Sequence, residues 1–152
     1  MNFREAKNIK QLSLIRMIAF AMLVIMPLVL LALMFVVSPP KQSGGEIEIA
    51  LLILLIVGMI QPLLIPLISR IQIQNWQKEN SENKNPAILF FMLSLIKFSF
   101  IEAIYIYGLV VYLLSGDMLK ALYFYPVGIG WSVVHWPMRV RFDNFINRLS
   151  KK

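Results

Sequence analysis

From Met17 to Val37 the chain runs 21 residues without a charged side chain or a histidine. A helix of that length rises about 30 Å, the thickness of a bilayer's hydrocarbon core, and no soluble domain needs so long an unbroken apolar rod. Pro27, in the middle of the run, removes one backbone hydrogen bond and predicts a kink, which a membrane helix tolerates when a neighbour satisfies the freed carbonyl. A cleaved signal sequence is the rival reading. Its apolar region spans about 7–15 residues before small residues, whereas this run is longer and exits into Ser38-Pro39-Pro40, so an uncleaved anchor is expected.

Three further apolar stretches follow, and the expected spans are about 17–37, 49–68, 92–114 and 119–136. Gln61, Pro62 and Pro66 predict a bend in the second. Residues 69–86 are rich in Asn, Gln, Lys and Glu and read as a loop, with Trp76 at the interface. The third stretch, within 87–114, is longer than a core requires and leaves its registry open. Ser115-Gly116-Asp117 reads as a tight turn, and Pro126, Gly128 and Gly130 make the fourth span the least regular. Gly128 and Gly130 lack GxxxG spacing and imply a bend or close approach by a neighbour. The composition agrees, with 59% hydrophobic residues, 15% charged residues and a mean hydropathy of +0.71. The expected fold is all-α: an integral membrane four-helix bundle forming a single domain over 17–136, flanked by basic segments 1–16 and 137–152.

Orientation follows from the cations. Arg4, Lys7, Lys10 and Arg16 precede span one; Arg70, Lys78 and Lys84 lie between spans two and three; Arg139, Arg141, Arg148, Lys151 and Lys152 follow span four. Only Lys41 and Lys120 occupy the opposite loops, beside Glu46, Glu48 and Asp117. Positive loops stay inside, so both termini are expected in the cytoplasm. Asn2 and Glu5 have capping-box spacing, and Phe142, Phe145, Ile146 and Leu149 recur at helical spacing. The tails therefore read as helices on the inner leaflet, with Arg139, Arg141, Arg148 and Trp136 as anchors on anionic headgroups. A partner-binding helix is the alternative for the C-terminal tail.

The net charge of +7 is distributed around apolar spans and forms no nucleic-acid-binding domain. There is no cysteine, one histidine and no cluster of carboxylates, which excludes disulfides, thiol nucleophiles and a protein-built metal centre. No nucleophile elbow, phosphate loop or zinc-protease helix is present, so neither an enzyme nor a cofactor is expected.

One residue breaks the apolar pattern. Glu102 lies about 20 Å inside the outer end of the third span if that span ends at Ser115, and an acid at such depth costs about 2.5–3.5 kcal/mol to insert. It must be protonated, wetted or paired, with Arg16, Lys97 and His135 as candidate partners. On a helical wheel Ser94, Lys97, Tyr105, Gly108, Tyr112 and Ser115 share a polar or small side, with Glu102 about 140° from Lys97. Ile96, Phe100, Ala103, Tyr107, Val110 and Leu114 form the opposite arc, expected to face lipid while Glu102 faces other helices. A buried contact that locks the bundle and a proton- or ion-carrying site both suit Glu102. His135 fits an interfacial residue or a proton shuttle. Trp131, Trp136, Tyr123 and Tyr125 read as belt and packing residues.

The stretch Glu102-Ala103-Ile104-Tyr105-Ile106-Tyr107-Gly108-Leu109-Val110-Val111 resembles the ion-binding helix of the rotor-ring proteolipids of rotary ATPases. That resemblance implies a proton or Na⁺ held by Glu102. It covers about ten residues, and span one lacks the regularly spaced glycines of ring-forming helices. In layout the chain resembles small four-span bacterial membrane proteins. The expectation is thus an accessory, assembly or interaction protein of a bacterial inner membrane, as a homo-oligomer or with another membrane protein; the alternative is an ion-coupled transport subunit using Glu102.

Overall fold

The computed structural model describes residues 3–42, 44–78 and 85–150, with side chains described for 9–149 within those ranges. Among these residues the regular structure is entirely helical, as it must be where lipid offers no hydrogen bonds to the backbone. The expected capping pair Asn2 and Glu5 and the cations Arg4, Lys7, Lys84, Lys151 and Lys152 fall outside the described residues and side chains.

The first helix comprises α1 (Phe3–Phe20), a π-helical turn (Ala21–Ile25) and α2 (Met26–Val36). The wide turn stands directly ahead of Pro27, and the Met26 N–H bonds back five residues to the Ala21 carbonyl. Proline lacks an amide hydrogen and its ring crowds the preceding turn, so the loosened winding carries the helix past it.

The second helix also changes winding at its prolines. α3 (Gly45–Ile60) passes through a 3₁₀ turn (Gln61–Leu64) into α4 (Ile65–Lys78). Residues 69–78, read from the sequence as loop, are therefore helical. Their Gln, Lys and Arg are good helix formers, and Ile73 and Trp76, three residues apart, continue the apolar side of Ile65 and Ile68, which outweighs the turn-like polarity.

The third helix, α5 (Pro86–Ser115), is the mast on which every other helix packs. The Ala87 N–H donates to Asn85 Oδ1 at 3.0 Å and Pro86 fits the first turn, so its start is fixed. Gly116 ends it in the left-handed conformation, φ 65°, with its N–H on the Tyr112 carbonyl at 2.8 Å.

The return along α5 is broken into α6 (Met118–Leu122) and α7 (Phe124–His135). Pro126 has no N–H for the Leu122 carbonyl, which is why the expected fourth span is interrupted at Tyr123. Small residues bring the two runs together. A Cβ on Gly108 would lie 3.0 Å from the Ala121 carbonyl oxygen, and one on Gly128 would lie 2.5 Å from the Tyr105 ring.

α8 (Arg139–Ser150) turns its apolar face inward. Phe142 is buried, and its ring stands edge-on to Phe90 of α5 at 5.1 Å, with Phe145 at 5.3 Å from the same ring. Phe142 and Phe145 were expected to rest on the leaflet; they pack against the bundle because the start of α5 offers aromatic surface within reach.

Three helices, Ile9–Val36, Gly45–Lys78 and Pro86–Ser115, are long and apolar enough to cross a membrane. Only 17% of the apolar window of Gly45–Lys78 is buried inside the molecule. Its remaining Leu and Ile side chains need an apolar medium outside the protein, as do Phe35 and Val36 on α2, exposed by 70% and 80%. One end of the bundle gathers Arg16, Lys97, Arg139 and Arg141 around the start of α5; the other holds the turns at 37–42 and 116–117, with Lys120 paired to Glu48 at 2.5 Å.

Candidate functional site

α5 carries six hydroxyls, and five are bonded. Ser94 and Ser115 donate to the carbonyls four residues back, Phe90 at 2.8 Å and Val111 at 2.7 Å. Tyr107 donates to Gln61 Oε1 at 2.8 Å and Tyr112 to the Val37 carbonyl at 2.5 Å. Tyr105 lies 3.3 Å from Ser132 Oγ, which itself donates to the Gly128 carbonyl at 2.8 Å. Because the serine has one proton and gives it to Gly128, Tyr105 is the donor to Ser132. Tyr125, edge-on to Tyr105 at 5.3 Å, donates to the Pro27 carbonyl at 3.1 Å. The Tyr107–Gln61 and Tyr125–Pro27 bonds tie α5 and α7 to the first two helices at the places where prolines disturb the backbone.

The sixth hydroxyl, Ser99, is exposed and has no hydrogen bond among the described residues. Three residues on, and hence beside it on the helix surface, stands Glu102. Glu102 is half-buried and forms neither a hydrogen bond nor an ion pair among the described residues. It borders an open strip of α5 that includes Ile88, Met92, Ile106, Val110 and Leu113.

This placement corrects two expectations. Of the arc predicted to face lipid, Val110 and Leu114 are open, whereas Ile96, Phe100, Ala103 and Tyr107 are half-buried. α3 lies against this side, with Gly58 beside Ile104 and Tyr107, and that packing rotates the open strip toward Ser99 and Ile106. Glu102 consequently edges the open strip. Nor do the three candidate cations reach it. Lys97 shares a helix face with Ile101 and Gly108 and looks toward α7, about 140° around the axis from Glu102. Arg16 donates from Nε to the Pro137 carbonyl at 3.2 Å. His135 Nδ1 donates to the Trp131 carbonyl at 3.2 Å, and its ring lies 5.5 Å from the Trp131 ring.

The cations meet one another instead. Lys97 and Arg141 lie close enough to His135 for their charges to act on it, and Arg141 acts on Lys97. Arg141 also donates to the Val134 carbonyl. Arg16 and Arg141 therefore grip carbonyls three residues apart where α7 ends. Arg139 is drawn off to Asp143 at 3.6 Å, and the exposed Arg148 stands in the last turn of α8.

No protein-family model, curated protein or solved structure matches this chain. The remaining observation is a cavity. Between α1–α2 and α7, with Tyr105 at its floor, lies a half-open groove of about 650 Å³ lined almost wholly by apolar atoms, from Leu31 and Pro27 to Trp136 and Met138. Glu102 is not among its lining residues. Among the described residues no cluster of His, Asp and Glu is arranged to hold a metal. The sequence reading missed the groove and Ser99. The sequence shows the Ser99–Glu102 spacing and an aromatic Trp136 at a helix end, but only the packing of α3 and α7 shows which sides stay open.

Proposed function

We propose that this chain is a four-helix protein of a bacterial inner membrane, with Met118–His135 as a fourth, broken crossing and both termini in the cytoplasm. It acts as an accessory or assembly protein that docks another membrane helix along the open strip of α5. The single observation that carries this reading is Glu102, without a partner among the described residues, beside a Ser99 equally unbonded among them, on an otherwise apolar strip. A carboxyl at membrane depth is tolerated when it finds a donor, and the donor it lacks among the described residues is supplied by the partner. The basic end supports the orientation, because cations concentrate on the cytoplasmic side of inner-membrane proteins.

The test is a photo-crosslinking side chain at Ile106, one turn from Glu102, in native membranes. A discrete crosslinked product is expected, retained in Glu102→Gln and reduced in Glu102→Leu, with none from the same group at Val36, exposed at the end of α2 and off the α5 strip. Equal products from both positions would overturn the docking reading.

A second reading makes Glu102 a proton or ion carrier, and the same lack of a cation partner favours it. Proton flux in proteoliposomes separates the two. Wild type and Glu102→Gln at the same background rate would end the transport reading and leave the docking reading standing.

A further inference from the structure

The groove between α1–α2 and α7 has a second feature: cations stand at one of its ends and its lining is apolar along the rest. The Pro137 carbonyl that Arg16 grips lies between Trp136 and Met138, both of which line the groove. Arg141 holds the Val134 carbonyl, next to the lining residue Val133. Each guanidinium has five N–H donors and uses one in these bonds. Neither Arg16, Arg141 nor Lys97 is paired with an acid among the described residues, since the ion pairs there are Lys120–Glu48 and Arg139–Asp143. Arg16 and Arg141 are exposed and have hydrogen-bonding capacity to spare.

The length of the groove is informative. Its lining on the first helix extends from Leu23 to Leu31, about 12 Å of helix. One leaflet of a roughly 30 Å hydrocarbon core is about 15 Å deep. The groove thus has a length close to one leaflet's depth, with Trp136 and Met138 beside the cationic end and Tyr125, bonded to the Pro27 carbonyl, along its wall.

We propose that this groove binds a single anionic phospholipid of the inner leaflet, one acyl chain lying against Pro27, Tyr105 and Trp136 and the phosphate held by Arg16 and Arg141, with Lys97 adding its charge. A helix from a partner would fill the apolar part but leave the guanidinium donors unmatched. A free phosphate would satisfy the donors but leave the groove empty. A phospholipid matches both at once, which is charge complementarity joined to shape.

The test is native mass spectrometry of the full chain, extracted and then offered equal amounts of phosphatidylglycerol and phosphatidylcholine with identical chains. One retained phosphatidylglycerol per chain is expected. Arg16→Gln with Arg141→Gln lowers its occupancy about tenfold or more, the scale for two cations at an anionic headgroup. Leu28→Phe, which adds bulk in the groove at a position already open to the outside, lowers it while leaving the arginines in place. Arg70→Gln, an exposed cation on α4 that does not line the groove, leaves it unchanged. Glycerol phosphate in excess does not displace the lipid. Equal retention of the two lipids, displacement by glycerol phosphate, or an adduct that survives both the double arginine replacement and Leu28→Phe would overturn the proposal, and so would an empty groove in the wild type. None of these results bears on docking along α5.

Discussion

A methyl group at Gly128 is the sharpest probe of how α5 and α7 meet. Its Cβ would lie 2.5, 2.6 and 2.9 Å from three atoms of the Tyr105 ring, where ordinary carbon contacts are about 3.5–4.0 Å. The ring would have to retreat by about 1 Å, and little lets it do so. Tyr105 is 1% exposed, stands against Tyr125 at 5.3 Å and is tethered to Ser132 at 3.3 Å. Overpacking costs about 1–3 kcal/mol, and the strained Tyr105–Ser132 bond adds about 0.6–1.5 kcal/mol if it breaks. Against this, alanine gains up to about 1 kcal/mol of helix propensity over glycine. Gly128→Ala should therefore destabilise by about 1–3 kcal/mol.

Gly130, two residues on, has nothing within 4 Å of the corresponding position. Gly130→Ala should stabilise by up to about 1 kcal/mol, so the same substitution changes sign across one intervening residue. Both can be read from the loss of helical circular dichroism as SDS is titrated into mixed micelles. Repeating Gly128→Ala in a Tyr105→Ala background removes the obstacle, and its cost should fall to about zero or below. An undiminished cost without the ring would refute the reasoning, because the methyl would then be clashing with something other than Tyr105.

Other outcomes follow from the same geometry. Gly116→Ala should destabilise by more than the about 1–2 kcal/mol of a left-handed alanine, measured in the same titration, because its Cβ would also meet the Pro40 carbonyl oxygen at 2.7 Å. Tyr107→Phe and Gln61→Leu should each destabilise while the double variant loses less than their sum, with a coupling of about 0.6–1.7 kcal/mol for a hydrogen bond in the apolar layer. Since the chain has no cysteine, Lys41→Cys and Lys78→Cys can be labelled singly in intact cells; an impermeant maleimide should reach the first from outside and the second only after lysis.

The sequence made the long helices and the composition of the bundle's faces legible, because both follow from periodicity and length. Ser94, Tyr105, Gly108, Tyr112 and Ser115, grouped by the wheel, are all buried, and Gly128 permits the close approach its size suggested. What the wheel cannot supply is the azimuth of the neighbours. The arc opposite Lys97 is apolar whether lipid or α3 covers it, so Tyr107 was assigned outward until its bond to Gln61 placed it inward. Polarity misled at 69–78 for a similar reason. A water-facing helix and a loop share the same residues, and only the recurrence of Ile65, Ile68, Ile73 and Trp76 on one helical side distinguishes them. Arg16 and Arg141 share one end of the molecule, but their partners, the helix-terminal carbonyls of Pro137 and Val134, are invisible in side-chain patterns.

The pattern of satisfied and unsatisfied groups on α5 supports an outside partner more strongly than the presence of an acid alone. An unpaired polar group in an apolar layer is costly, and hydroxyls in membrane helices relieve that cost by bonding back to their own turn, as Ser94 and Ser115 do. Ser99 has the same local option and does not take it. It sits instead beside Glu102, so the two side chains in the middle of α5 that are unbonded among the described residues are neighbours on a strip of α5 that stays open among them. A donor arriving on a second helix would meet a carboxyl and a hydroxyl together, and a two-point contact fixes register where a single one leaves the helix free to slide. Removing Ser99 should then loosen register without abolishing docking, so that Ser99→Ala spreads crosslinks from Ile106 over neighbouring partner positions while Glu102→Leu reduces their yield.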